Sequence, residues 1–594
     1  MTTSGICELF GCARTRMRKN GSARMASGWK TACVVLLLCA ATASVSPAQT
    51  FKRLASFDGT NGAGPWGDLV QGLDGNLYGA TQLGGAYSAG TIFKITRGGA
   101  LTTLYSFCAA ANCPDGSAPN GGLVQSADGT FYGTTSGGGA YQSGTVFSMT
   151  PSGALTTLYS FCAQSNCTDG SGPLAGLVQA TDGNFYGTTV YGGVSGLGKY
   201  GACGGIGGPP GEPIAPGCGT VFRITLGGTL TTLHTFCAQN SCPDGVYPGG
   251  LIQATDGELY GITWAGTLSN NGTVFKITPG GQLATLHSFD GGDGSQPMGR
   301  LVQATDGNFY GATLYGYGSH IFRITPSGTL TTLYVFCATY PCTDGDQPYA
   351  GMVQGTDGNF YGTLHSGGAT GSGTVFQATP SGTMTDLRSF CDQPTICVYG
   401  EVPWAGLVQA TSGTFYGTAY SGGAYLHGTV YSLSVGLGWF VKTLPTIGTV
   451  GSTIQIMGTD FTGATALTFN GSPAPFTLLS STQIQTTVPS GAGTGSVKVT
   501  TPSGTLSSKP AFRVRPQFTS FSPASGPVET VVTITGVSLA QTTRVGLGGV
   551  SASFTVVDDS TVNATVPTGA KSGRDIVIST PGGTAVSATT FTVN

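Results

Sequence analysis

Apolar and polar positions alternate with period two over short runs, and the runs recur in a fixed order. Within residues 301–336, Leu301-Val302-Gln303-Ala304 reads as a short apolar strand and Thr305-Asp306-Gly307 as a tight turn. Asn308-Phe309-Tyr310-Gly311-Ala312-Thr313 is a second strand. A glycine-rich loop leads to a third, Ile321-Phe322-Arg323-Ile324-Thr325, and Pro326-Ser327-Gly328 turns the chain into a fourth, Thr331 to Phe336. The unit recurs seven times between residues 69 and 417, marked by Tyr78, Tyr132, Tyr186, Tyr260, Tyr310, Tyr361 and Tyr416, each followed by glycine. Four antiparallel strands per repeat and seven repeats predict a seven-bladed β-propeller. A parallel β-helix is the runner-up, but its rungs are shorter and lack paired hairpin turns.

The chain ends supply a check on closure. Arg53-Leu54-Ala55-Ser56-Phe57 matches the fourth-strand text Leu104-Tyr105-Ser106-Phe107 yet precedes the first repeat, while the seventh repeat leaves after Gly428-Thr429-Val430-Tyr431 without a fourth strand. The N-terminal strand is therefore expected to complete the last blade and remove the free edges of an open array. In this phase the long Gly/Tyr loops and the cysteine loops share one face, and the short Asp-Gly and Pro-Ser-Gly turns share the other. Function belongs on the long-loop face. Beyond the ring, residues 439–515 and 516–594 repeat one another: Gly458-Thr459-Asp460-Phe461 answers Gly536-Val537-Ser538-Leu539, and Val488-Pro489 answers Val566-Pro567. Each reads as a small β-sandwich.

The repeat Leu-Val-Gln-x-x-Asp-Gly-Asn-Phe-Tyr-Gly-Thr, followed by Gly-Thr-Val-Phe-Lys-Ile-Thr, resembles the GloVer tandem repeat of exported bacterial surface proteins over residues 51–437. The tail is similar to two IPT/TIG immunoglobulin-like domains. The second carries that family's opening Ser522-Pro523-Ala524-Ser525-Gly526 and Val532-Thr533-Ile534-Thr535-Gly536, and the first matches it more loosely through Leu444-Pro445-Thr446-Ile447-Gly448. The expected organisation is a signal segment over 1–48, a propeller over 49–438, and IPT/TIG domains over 439–515 and 516–594. GloVer proteins often end in an anchoring tail; the last residues here read as a final strand.

Export is also read from the N-terminal residues. Arg14, Arg16, Arg18, Lys19, Arg24 and Lys30 precede an apolar run from Ala32 to Ala43 and then Ser46-Pro47-Ala48, the order of a cleaved secretion signal, with Met25 as an alternative start. The run is short for a membrane span. Beyond residue 48 twelve cysteines form near neighbours: Cys108/Cys113, Cys162/Cys167, Cys203/Cys218, Cys237/Cys242, Cys337/Cys342 and Cys391/Cys397. Local pairs in an exported chain read as disulfides; zinc would want two-residue spacing and paired knuckles.

Composition narrows function. Charged residues make up 8% of the chain and the formal charge is −2, with no basic cluster in the body, so a nucleic-acid footprint is absent. A residue common to every blade serves the blade, because a ligand site must break sevenfold symmetry. Gln71, Gln125, Gln179, Gln253, Gln303, Gln354 and Gln409 are therefore expected to satisfy backbone groups between blades. The Asp-Gly turns hold one carboxylate each, too few for calcium. The position three residues before the inner-strand Leu or Met varies instead: Trp66, Asn120, Leu174, Pro248, Met298, Tyr349 and Trp404. Trp66, Tyr349 and Trp404 fall on adjacent blades of a closed ring and predict an aromatic arc suited to sugar rings. Trp264, Tyr315 and Tyr425 in the adjoining loops are further contact candidates.

His234 and His287 on outer strands read as structural. His320, His365 and His427 would cluster on the long-loop face if the protein were an enzyme, but no carboxylate completes a site, and no cofactor, metal or catalytic residue is assigned. The expectation is an exported, cell-surface-associated, monomeric protein, with no transmembrane span in the mature chain, that binds glycan or another surface polymer. The alternatives are a polysaccharide-active or lyase-type enzyme and a purely structural envelope protein.

Overall fold

The computed structural model describes residues 49–193, 217–239, 241–266, 269–316, 318–391 and 397–594. The expected signal segment over 1–48, Cys203 and most of the third repeat's insertion lie outside them. The described residues are all-β apart from one short 3-10 turn, and the repeat region forms seven antiparallel sheets. Blade one joins Val70–Gln71, Leu77–Thr81, Thr91–Ile95 and Leu101–Ser106 in sequence order, and the other blades repeat that order. Blade seven takes Val408–Gln409, Phe415–Ala419 and Thr429–Ser434 from the seventh repeat and its outer strand, Thr50–Ser56, from the other end of the propeller region. The N-terminal strand thus closes the ring.

The repeated Phe-Tyr-Gly has a separate task for each residue. Both faces of the second strand are covered by neighbouring blades, so all five residues of Phe131–Thr135 are buried. Its Tyr132 packs on Phe185 of the next blade at 4.2 Å between centroids, while its Phe131 receives Tyr78 of the previous blade at 4.3 Å. Gly133 between them leaves room for Phe147 of the third strand, whose ring would lie 2.6 Å from an added Cβ. Blade–blade contacts of this kind are the core of the propeller.

Polar groups of the motif are equally committed. The turn aspartate accepts the hydroxyl of the repeat tyrosine: Tyr78 to Asp74, Tyr186 to Asp182, Tyr260 to Asp256, Tyr310 to Asp306 and Tyr361 to Asp357, all at 2.8–2.9 Å. Burial, reinforced by that carboxylate, pushes Tyr186 and Tyr310 up to about 12. Six of the seven inner-strand glutamines accept a backbone N–H from the preceding blade, among them Gln125 from Leu73 at 2.9 Å and Gln253 from Thr181 at 2.8 Å. Gln71 does so across the ring closure, accepting Thr411 N–H of blade seven at 2.9 Å. Gln179 is the exception, reaching Ser126 Oγ and the Gly183 carbonyl at 3.4 Å.

The loops after the outer strands carry five disulfides, Cys108–Cys113, Cys162–Cys167, Cys237–Cys242, Cys337–Cys342 and Cys391–Cys397. Cys218 is disulfide-bonded as well. Where no cysteines occur, after blades seven and four, an aspartate folds the loop on itself: Asp58 accepts the N–H groups of Thr60 and Asn61, and Asp290 those of Gly292 and Asp293. These loops meet the loops between strands two and three through bridges such as Ala63–Leu83, Ser117–Gly137 and Glu401–Ser421, so both sets lie on one face.

Residues 441–514 and 516–593 form two sandwiches with separate apolar cores. The first is not a free spacer. Thr482 Oγ1 donates to the Leu73 carbonyl at 3.3 Å, Arg513 to Thr255 at 2.6 Å, and Lys442 to Gln409 at 2.5 Å; Phe440 N–H donates to Thr411 at 2.9 Å, and Lys509 reaches the Thr356 carbonyl. Those acceptors belong to blades one, four, seven and six, so the sandwich lies across the short-turn end of the axis.

Candidate functional site

Along the axis runs a cavity of about 710 Å³. Its wall is the start of the inner strands, with Trp66, Trp264, Tyr349 and Trp404 at the long-loop end. Leu444, Ile447, Met457 and Arg513 of the first sandwich line the other end.

Three aromatic side chains from adjacent blades meet at that end. Trp404 stacks on Trp66 at 4.3 Å and 23°, and Tyr349 lies 4.2 Å from Trp404 at 44°. Trp404 is the middle ring of this column, so the free faces belong to Trp66 and Tyr349, not to three separate platforms. His365 abuts both Tyr349 and Trp404, at 4.9 and 4.6 Å, and Tyr420 meets Trp66 edge-on at 5.9 Å while donating to Gln82 Oε1 at 3.2 Å. Burial, together with the neighbouring Tyr315 hydroxyl, pushes Tyr349 up to about 12; burial holds His365 below its ordinary value, favouring the neutral ring. His365 Nδ1 and Trp264 Nε1 are buried without a hydrogen-bond partner among the described residues. Unpaired polar atoms are uncommon in a core.

Tyr315 therefore borders the column. Tyr425 does not: it is exposed, and the adjoining Ala424 N–H donates to Ser56 Oγ of the outermost strand, which places it at the rim. The three long-loop histidines also separate. His320 is buried against Thr313, 3.4 Å from its hydroxyl, His365 sits in the aromatic column, and His427 lies against Gly59. The cluster expected of an enzyme does not form, because each ring fills a different blade's loop. His234 and His287 hold Asp244 and Asp293 at 2.9 and 2.6 Å, the task Tyr105, Tyr159 and Tyr334 perform in other blades.

Two residues were missed by the sequence reading. The position just before the inner-strand Leu or Met is glycine in five blades because the strand starts crowd one another: an added Cβ on Gly176 would lie 2.6 Å from the Gly122 carbonyl, and one on Gly406 2.8 Å from that of Gly351. In blades one and five it is Asp68 and Arg300, which pair inside the cavity at 3.2 Å. Gly406 N–H donates to the other Asp68 oxygen at 2.7 Å. The symmetry argument that picked out Trp66 would have found this pair two positions further along the repeat.

No curated protein matches the sequence. Among solved structures, a fungal alcohol oxidase of the AA5 family in complex with copper is 14% identical, with a TM-score of 0.41, over 78% of this chain and 98% of that one. A puromycin hydrolase S511A mutant complexed with PGG is 14% identical with a TM-score of 0.40, over 62% of this chain and 52% of that one. SGBP-B from a xyloglucan utilization locus of Bacteroides uniformis is 20% identical with a TM-score of 0.14, over 26% of this chain and 48% of that one. The chain thus spans about half of the last two, and none of these likenesses bears on function. The Gloeobacter/Verrucomicrobia repeat matches residues 42–200, 211–342 and 319–455, and the IPT/TIG domain matches 441–514 and 516–593. The chain belongs to the Gloeobacter/Verrucomicrobia repeat family and ends in two IPT/TIG domains.

Proposed function

We propose that the protein is an exported, surface-associated, non-catalytic glycan-binding protein whose site is the aromatic end of the axial cavity. The observation that carries the reading is the Trp66–Trp404–Tyr349 column, built at positions where the repeat is free to vary and opening on the cavity. The outer faces of Trp66 and Tyr349 suit the apolar faces of pyranose rings. The disulfides support an oxidising compartment.

The test is a glycan array probed with the full chain, since residues 442–513 contribute the cavity floor. Trp66→Ala and Tyr349→Ala are each expected to weaken binding by at least about tenfold, the scale of one lost aromatic contact. Unchanged binding by both variants refutes the site.

A further inference from the structure

We infer that the cavity receives the end of a glycan chain and that the end unit is a uronic acid, its carboxylate held by Arg300. This rests on the glycan reading and adds to it the direction of entry and the charge of the ligand.

Direction follows from the closed end. The first sandwich bonds to turns of blades one, four, six and seven and supplies apolar floor residues, so a chain threaded past the aromatic column cannot leave on the other side. A cavity of 710 Å³ holds a few sugar units, not a polymer passing through. Asp68 and Arg300 stand two residues further along their inner strands than Trp66 and Met298, and therefore deeper, where a terminal unit would rest.

Charge follows from the lining. Its ionisable residues are Asp68, Arg300 and Arg513, a net positive set within a chain of formal charge −2. Asp68 is fully engaged, one oxygen with Gly406 N–H and the other with Arg300. Arg300 is not: its side chain is 54% exposed, and one guanidinium nitrogen meets Asp68 while the rest of the five-donor fork meets no other acceptor among the described residues. A carboxylate offers that fork two parallel acceptors. The near-neutral exterior gives no long-range attraction to acidic polymers, so the preference is local to the cavity. Asp68 keeps Arg300 positioned across the axis while the site is empty and tempers its hold on the anion.

The experiment is calorimetric titration of the full chain with hexuronate trimers (galacturonate and mannuronate) and with their carboxyl-reduced counterparts. At least one acidic trimer should bind about tenfold or more tighter than its neutral form, the scale of a charge-assisted pair. Arg300→Gln should erase that ratio and leave neutral affinity in place. Asp68→Asn, which retains an acceptor for Gly406 N–H, should raise acidic affinity; this opposite sign cannot come from misfolding, and unfolding midpoints of both variants check the fold. Polymer at equal mass should bind in proportion to its chain ends. Equal affinity for both forms, an unchanged ratio in Arg300→Gln, or binding that follows polymer mass overturns the inference while the glycan reading stands. Failure of every trimer to bind overturns it too, and the array with Trp66→Ala and Tyr349→Ala then decides the glycan reading separately.

Discussion

Two glutamines at the same repeat position should respond differently to the same substitution. Gln71 is 3% exposed; its carbonyl accepts the Thr411 N–H at 2.9 Å and its amide donates to Thr411 Oγ1 at 3.0 Å, across the joint between blades one and seven. Gln71→Leu keeps the volume and strands a buried backbone N–H, since Thr411 is itself fully buried. Leaving such a donor unpaired costs about 1–3 kcal/mol. Gln179 makes only contacts of 3.4 Å and accepts no backbone N–H among the described residues, so Gln179→Leu should cost well under about 1 kcal/mol. Denaturant midpoints compare the two globally. Hydrogen exchange reads the site: a 2 kcal/mol loss speeds exchange of the Thr411 amide about thirtyfold when opening is local. Equal costs for the two variants, or an unchanged Thr411 amide, would refute the view that these glutamines act by capping a neighbouring blade's backbone.

His234→Tyr should be within about 0.5 kcal/mol of the parent in unfolding experiments, because tyrosine makes the same bond to an aspartate in blades one, two and five, whereas His234→Ala should cost about 1–2 kcal/mol. Lys442 carries a pH dependence. Its side chain is half-buried overall but its ammonium is enclosed against the Gln409 carbonyl, and burial pulls it from 10.5 to about 8. The unfolded chain then holds a proton that the folded one releases between pH 8 and 10.5, so stability from this group rises with pH through that window. Unfolding midpoints of the parent relative to Lys442→Met, measured at pH 7.5 and 9.5, should show that rise; a flat difference would sink it.

Much of the propeller was readable before any coordinates. Tyr310 and Phe309 face opposite blades because strand side chains alternate, and the text of Arg53 to Phe57 announces a missing fourth strand because antiparallel pairing demands one. The local pairing of the cysteines likewise marks the loops. The reading of Trp66, Tyr349 and Trp404 as neighbours followed from ring order alone. Their mutual stacking did not, since a repeat period says which blades adjoin but not how large rings share the space at a channel mouth.

By itself, the sequence determined whatever is repeated: strand order, blade–blade packing, the glutamine caps, the aspartate turns and the closing strand. Each lies within one blade or between adjoining blades, so each copy of the motif states it again; only at the joint of blades one and seven are the partners far apart in sequence. The tertiary structure decided what occurs once. Asp68 meets Arg300 across the axis, Trp404 is enclosed by its neighbours, and the first sandwich covers one end of the ring. Such contacts depend on side chains that the repeat leaves free to vary, or on a domain outside it, and only closure of the ring brings them together.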